Sequence, residues 1–161
     1  MSKIEFFVMD VDGTLTDGKI YMGAEGELLK AFDIKDGYGI HDMLIPAGIT
    51  PVILTGRESS ILANRCKELG IEHLYQNVSD KLSMLNTTME QRHGNLDCVA
   101  YIGDDLNDLE CMLAVKDAGG LIGCPADAVE KIKEHANFVS SKDGGNGAVR
   151  EFIEYILQES E

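Results

Sequence analysis

The sequence predicts an α/β fold in which a central parallel sheet carries helices on both faces. Short apolar runs, typical of buried strands, alternate along the chain with segments whose apolar residues recur at helical spacing. Clusters that contain aspartate or threonine lie at the ends of three of these runs. Because parallel strands all end at the same edge of a sheet, this pattern predicts a binding site at that edge.

Four apolar runs are the predicted strands of the sheet. Residues 4–11 read IEFFVMDV and residues 50–55 read TPVILT. Residues 97–102 form the third run and residues 119–122 the fourth. Short runs without polar alternation indicate strands that are buried on both faces.

The predicted helices have apolar residues at helical spacing and lie between or after the strands: residues 59–69, 81–92, 127–135 and 148–157. Gly70 and Gly94 follow the first two helices, where a glycine commonly ends a helix. One segment breaks the alternation. Residues 19–22 and 28–32 predict a β-hairpin with a four-residue turn, and it lies at the carboxyl edge of the sheet.

The composition is that of one acidic domain, which we expect to span residues 1–161. Lys and Arg number 14 and Asp and Glu 28, so the formal net charge is -14, which argues against nucleic-acid binding. No apolar run reaches the ~18 residues of a membrane span. The N-terminus lacks the apolar core of a signal peptide, and the four cysteines are too widely spaced for a zinc site. We therefore expect a cytoplasmic protein with reduced thiols.

The polar clusters at the predicted strand ends indicate a cation site. Asp10 and Asp12 are separated by one residue, so they leave the first strand on the same side, and Gly13 follows them. Thr55 ends the second strand, and Asp104 follows the third. Several carboxylates ionise together only when a cation holds them, and ligands that are all oxygen favour Mg²⁺. Asp10 and Asp104 are the predicted side-chain ligands.

A hydroxyl and a lysine would complete a phosphate site, and Thr55 with Lys81 at a helix start are the candidates. Each feature alone also has a simpler interpretation. Residues 10–13 could be a solvated turn or a simple calcium loop, and residues 103–108 a capped helix start. Thr55 could be a strand-end hydroxyl and Lys81 a surface lysine. Tyr21 stands where an EF-hand needs its closing glutamate, so that motif is excluded. The combination of features in this order favours the phosphate site.

The sequence resembles phosphatases of the haloacid dehalogenase superfamily. Residues 10–14 (DVDGT) resemble the first motif of that family, Thr55 the second, Lys81 the third, and residues 104–108 the fourth. Further segments resemble the small branch without a cap domain: 16–21, 30–32, 35–40, 54–57, 65–66, 69–71 and 144–151. That branch contains the 3-deoxy-D-manno-octulosonate 8-phosphate phosphatases. The resemblance covers nearly the whole chain and implies a Rossmann-like fold.

The resemblance also implies roles for the motif residues. Asp10 would be the nucleophile that forms an aspartyl-phosphate, and Asp12 the general acid and then the general base. Mg²⁺ would be held by Asp10, the backbone carbonyl of Asp12, and Asp104. Asp105 and Asp108 would orient the metal surroundings or the lysine. The implied substrate-binding residues are Asp12, Thr55, Gly56, Arg57, Arg65, Lys81 and Arg150.

The implied substrate is a 3-deoxy-2-keto sugar acid phosphate, and Arg57 favours the eight-carbon octulosonate 8-phosphate. Asn146 stands where the octulosonate phosphatases are expected to have arginine, so a nine-carbon nonulosonate 9-phosphate remains an alternative. A second alternative is a non-catalytic oligomerisation module related to sialic acid cytidylyltransferases. A receiver-like signalling domain is disfavoured, since Asp12 is placed to activate water.

The resemblance further implies a homotetramer that closes its own active sites. The hairpin, at about residues 18–33, would act as a flap, and a neighbour's hairpin would help to close the pocket. The C-terminal segment, about 144–161, would reach an active site over a flexible glycine hinge at 144–147 and bring Arg150 to the substrate.

Overall fold

The computed structural model describes residues 3–159, so the ends of the expected domain (1–161) and tail (144–161) lie outside the described residues. Within this range one sheet has six strands: β1 (Phe6–Met9), β4 (Thr50–Leu54), β5 (His73–Tyr75), β6 (Val99–Ile102), β7 (Leu121–Cys124) and β8 (Phe138–Val139). Their order is β5-β4-β1-β6-β7-β8, and every pairing is parallel. The predicted parallel sheet is confirmed.

The helices have these bounds: α1 (Ile34–Tyr38), a π-helical turn (Gly39–Leu44), α2 (Ser60–Leu69), α3 (Lys81–Gln91), α4 (Leu109–Ala118), α5 (Glu130–His135) and α6 (Ala148–Glu159). Short 3₁₀ turns lie at Leu96–Cys98 and Leu106–Asp108. Side-chain caps begin α2 and α3, because Ser59 accepts from the Leu62 amide and Asp80 from the Ser83 amide. No helix among residues 3–159 has both the length and the apolarity to cross a membrane.

The core lies on both faces of the sheet, and alternate residues of β1 point into each half. Phe7 packs with Phe152 of α6 on one face, where α2 and the π-helical turn also contribute. Val8 belongs to the opposite cluster, with α3, α4 and α5. Both halves are almost fully buried, so the predicted covering of the sheet on both faces is confirmed.

Several boundaries differ from the sequence prediction. The fourth strand begins at Leu121, because Gly119 adopts a left-handed conformation (φ 100°) and ends α4. The sequence patterns did not predict β5 and β8, which have only three and two residues and are not fully buried. Helices α1 and α4 were also missed.

The hairpin is present, but its turn is shorter than predicted. Its strands are β2 (Tyr21–Gly23) and β3 (Gly26–Leu29), and Gly23 pairs directly with Gly26. The turn therefore has two residues rather than four. Gly26 has φ 123°, a conformation that favours glycine, which explains why a glycine stands directly after the two-residue turn.

Candidate active site

Three polar segments meet at the carboxyl edge of the central strands. Asp10 directly follows β1, Thr55 follows β4, and Asp104 lies two residues after β6. Because β4, β1 and β6 are neighbours in the sheet, their ends lie side by side. The predicted convergence of these segments at one edge is present.

Asp10 is held by a buried lysine. The Lys81 ammonium lies 2.9 Å from Asp10 Oδ1 and 2.9 Å from Asp108 Oδ1, and its side chain is only 5 % exposed. Burial alone would lower the pKa of Lys81, but Asp108 and Asp10 outweigh it and raise that pKa. The lysine therefore stays charged beside Asp10.

Asp108 fixes this lysine from the other side. Its Oδ1 accepts hydrogen bonds from Lys81 and from the Tyr101 hydroxyl (2.8 Å), and its Oδ2 accepts from the Asp104 amide at 3.2 Å. The side chain is fully buried. Both of its oxygens are engaged, so Asp108 orients Lys81 and the loop that carries Asp104. The exposed Asp105 side chain accepts a hydrogen bond from the adjacent Leu106 amide, as at a helix start.

Asp104 faces the loop after β1 at very close range. Its Oδ1 accepts from the Thr14 hydroxyl at 3.2 Å. A Cβ on Gly13 would stand 2.0 Å from Asp104 Oδ2, and Gly13 has φ 88°. Only glycine therefore fits between the two aspartate-bearing loops.

The donor set fits a divalent cation. Asp10, Asp104 and Asp108 each offer a carboxylate oxygen, and these atoms lie within 4.8 Å of one another. Burial raises the pKa of all three carboxyls to about 6, and their mutual repulsion adds to the rise. A bound cation would stabilise the ionised forms of these three carboxyls. Since Asp108 is engaged by Lys81 and Tyr101, Asp10 and Asp104 are the side chains best placed to bind it.

Asp12 faces the hairpin. Its Oδ1 accepts a 2.8 Å hydrogen bond from Lys30, which directly follows β3, and the Arg57 guanidinium lies 3.9 Å away. Glu27 of β3 binds both cations, at 3.1 Å from Lys30 and 3.2 Å from Arg57. The hairpin of this same chain therefore contacts the motif that contains the expected acid and base.

The segments that follow β1, β4 and β6 line an open cavity of about 400 Å³ at the sheet edge. Its lining residues are Asp10, Asp12, Gly18, Thr55, Gly56, Arg57, Asp104, Asp105 and Asn107. The Thr55 side chain is buried while Gly56 is exposed. The cavity is of the size that binds small molecules.

Two expected substrate-binding arginines lie elsewhere in the chain. Arg65 of α2 binds Glu68 at 3.1 Å and lies over the Phe32 ring. Arg150 of α6 binds Glu154 and lies over the Tyr38 ring. Among the described residues of one chain, the structure brings Arg57 to the cavity but neither Arg65 nor Arg150, because both face α1 and the segment leading into it.

The glycine segment 144–147, expected to be a flexible hinge, forms a packed turn within one chain. The Gly145 amide donates to Thr14 O at 3.1 Å, and the Gly144 amide donates to Asp127 at 2.9 Å. A Cβ on Gly144 would stand 1.9 Å from Gly13 O. This close approach supports the loop after β1, and α6 begins directly afterwards at Ala148.

Sequence reasoning missed four contributors to the site. Lys30 and Glu27 reach it only because the hairpin folds back over Asp12, and Tyr101 reaches Asp108 from within β6. Asn107 lines the cavity from the 3₁₀ turn. The segment containing Lys30 resembled the family branch, but a lysine in a hairpin gives no local signal of its partner.

No protein-family model matches the chain. A curated 3-deoxy-D-manno-octulosonate 8-phosphate phosphatase from Yersinia pestis is 44 % identical over 156 residues, which cover 97 % of this chain and 81 % of the relative. A crystal structure of such a phosphatase from Moraxella catarrhalis, in complex with magnesium, phosphate and the sugar acid, is 41 % identical. It superposes with a TM-score of 0.89 and covers 96 % of this chain and 86 % of that one.

A hydrolase of the same superfamily from Legionella pneumophila is 36 % identical, with a TM-score of 0.89 over 98 % of this chain and 84 % of its own. The two structural similarities extend over 96 % and 98 % of this chain. The chain therefore belongs to the 3-deoxy-D-manno-octulosonate 8-phosphate phosphatase family of the haloacid dehalogenase superfamily.

Proposed function

We propose that the chain is a Mg²⁺-dependent phosphatase that hydrolyses 3-deoxy-D-manno-octulosonate 8-phosphate through an aspartyl-phosphate. The observation that carries this proposal is the placement of Asp10. Its carboxylate lies between the Lys81 ammonium and the Asp104 carboxylate, at the edge of an open cavity. Family membership supports the same chemistry.

In the first step, an Asp10 oxygen attacks phosphorus and the bond from phosphorus to the sugar oxygen breaks. Asp12 gives its proton to the departing sugar oxygen. Lys81, Thr55 and the amide of Gly56 bind the phosphoryl oxygens. Asp10, the Asp12 carbonyl and Asp104 would hold Mg²⁺, which would supply positive charge where two anions approach each other.

In the second step, water attacks the phosphorus of the aspartyl-phosphate. Asp12, now ionised, takes a proton from this water, and the bond from phosphorus to the Asp10 oxygen breaks. Inorganic phosphate leaves, and Asp12 is again protonated. Lys81 keeps its charge throughout because Asp108 still pairs with it.

The choice of the eight-carbon sugar acid rests on the relatives and on Arg57. The Moraxella catarrhalis relative was crystallised with that sugar acid, phosphate and magnesium. Arg57 lines the cavity, with its side chain 43 % exposed, and is the cation proposed to meet the sugar carboxylate. Arg65 and Arg150 are left out of this role within one chain because their partners lie outside the cavity.

A phosphate-release screen over sugar acid phosphates tests the proposal. The eight-carbon 8-phosphate should give the highest kcat/KM, above nine-carbon 9-phosphates. A reversed ranking would establish the nonulosonate alternative. An absence of phosphate release from every substrate with Mg²⁺ present would support the non-catalytic module instead.

We also propose a homotetramer in the cytoplasm. The hairpin and α1 carry large apolar side chains that are exposed in one chain: Ile20, Met22, Leu28, Leu29, Ile34 and Tyr38. Such a patch favours burial against another copy. The four free cysteines fit a reducing compartment. Light scattering should give four times the chain mass of 17.6 kDa, and a monomeric mass would refute the assembly.

A further inference from the structure

Lys30 directly follows hairpin strand β3, and its side chain is buried although the two residues before it are exposed. Its side chain is only 4 % exposed, whereas Leu28 and Leu29 beside it are 69 % and 48 % exposed. A lysine is almost never buried unless it is paired. Its two partners are Asp12 Oδ1 at 2.8 Å and Glu27 Oε2 at 3.1 Å.

Glu27 holds Lys30 in this place. Its Oε1 accepts from the Ser59 hydroxyl at 3.2 Å, and its Oε2 also contacts Arg57. Burial would raise the pKa of Glu27, but Lys30 and Arg57 outweigh it and hold that pKa below its usual range. Since Ser59 caps α2, the carboxylate joins the hairpin to the rigid start of a helix.

Each of the two aspartates after β1 thus has its own buried lysine. Lys81 binds Oδ1 of Asp10, and Lys30 binds Oδ1 of Asp12. An ammonium group has three donors and no acceptor, so a proton on Asp12 Oδ1 would point at a group that cannot accept it. The Lys30 contact therefore leaves Oδ2 as the atom of Asp12 that can carry a proton.

We propose that Lys30 is a positioning residue for Asp12. It fixes Oδ1, so that the proton given to the leaving sugar oxygen, and later taken from water, is carried on Oδ2. Glu27 holds the Lys30 ammonium beside the Asp12 carboxylate. This inference rests on the proposed function, in which Asp12 is the general acid and base.

Steady-state hydrolysis of the octulosonate 8-phosphate by Lys30→Met tests this role. We expect kcat to fall by about 100-fold, as for a misplaced catalytic group, with little change in KM. Lys30→Arg should recover part of the loss because it keeps a donor at Oδ1. The matched control is Lys19→Met, since Lys19 is exposed near the same hairpin, and it should match the wild type.

A double-mutant cycle separates positioning from a structural effect. In an Asp12→Asn background, Lys30→Met should cause almost no further loss of kcat, because Lys30 acts through Asp12. Thermal unfolding shows whether each variant folds. If Lys30→Met does not fold, Glu27→Gln replaces it in the double-mutant cycle. We expect this variant to lose about 10-fold in kcat, because Lys30 loses its ion pair with Glu27.

Wild-type kcat in Lys30→Met, or an equal loss with and without the Asp12→Asn change, overturns the positioning role. If Glu27→Gln is used instead, wild-type kcat or an equal loss with and without Asp12→Asn overturns the positioning role in the same way. A wild-type chain that hydrolyses no sugar acid phosphate refutes the proposed function as well, so the two failures are distinguishable.

Discussion

Replacing Asp104 by its neutral isostere should stabilise the metal-free protein while it removes the response to Mg²⁺. Burial raises the pKa of Asp104 to about 6 from 3.8, and the charge of Asp108 contributes. A carboxyl whose pKa is higher in the folded state stabilises the fold when protonated. That stability is complete below pH 3.8 and is lost as the pH rises through about 6. Asp104→Asn imitates the protonated form at every pH.

The size of the effect follows from the same pKa. A rise of about two pKa units corresponds to at most about 3 kcal/mol, at 1.36 kcal/mol per unit. For a chain of this length, about 1 to 3 kcal/mol corresponds to an increase in Tm of roughly 2–12 °C. The asparagine amide can also donate to Asp10, and its carbonyl can still accept from Thr14, so the replacement leaves no buried polar atom unpaired.

Thermal unfolding in chelator at pH 7.5 and pH 4 measures the difference. At pH 7.5 the variant should melt above the wild type, and at pH 4 the two should converge. Added Mg²⁺ should raise the Tm of the wild type alone. Asp117→Asn is the control, because Asp117 is an exposed aspartate near the far end of α4 and does not line the cavity. A variant that melts below the wild type at pH 7.5 in chelator would refute the electrostatic reasoning.

Three further outcomes are expected. Asp10→Asn should abolish phosphate release because the nucleophile is lost, while circular dichroism stays that of the wild type; turnover near the normal rate would exclude Asp10 as nucleophile. Chelation should stop turnover and Mg²⁺ should restore it; activity that survives chelation removes the metal from the mechanism. Gly13→Ala should lower Mg²⁺ affinity, measured by calorimetry, by at least about 10-fold, as for disturbed metal surroundings, because its Cβ would stand 2.0 Å from Asp104 Oδ2. Unchanged Mg²⁺ affinity would contradict this prediction, because the loops that carry Gly13 and Asp104 could then move apart without disturbing the metal site.

The parts of the fold that the sequence predicted are those with a strong local signal. Strand β1 is a continuous apolar run, and helix α2 has both a capping serine and a terminal glycine. Strands β5 and β8 could not be found this way because they are too short for any period to show. Their place at the sheet edges is decided by the packing of the whole domain.

The same distinction holds in the candidate site: residues with a local sequence signal were predictable, and residues placed by tertiary contacts were not. Asp10, Asp12 and Asp104 were predictable because each follows a recognisable strand, and the sheet order brings strand ends together. Lys30 was not assigned a role because its contact with Asp12 depends on how the hairpin folds back. The glycines at 144–147 resemble a hinge in the sequence, which does not show what a glycine approaches. In the structure Gly144 lies against Gly13 O.

The charges around the cavity explain why a phosphatase can be so acidic. Six carboxylates meet three cations there: Asp10, Asp12, Glu27, Asp104, Asp105 and Asp108 against Lys30, Arg57 and Lys81. Each of these cations already contacts a carboxylate, so a phosphate dianion has to share Lys81 with Asp10 and Asp108. A divalent cation at Asp10 and Asp104 would therefore add positive charge for the phosphate beside that of Lys81. The acidity of the site then favours the metal-bound state. Lys81 positions Asp10 and Lys30 positions Asp12, so that each aspartate keeps its own role.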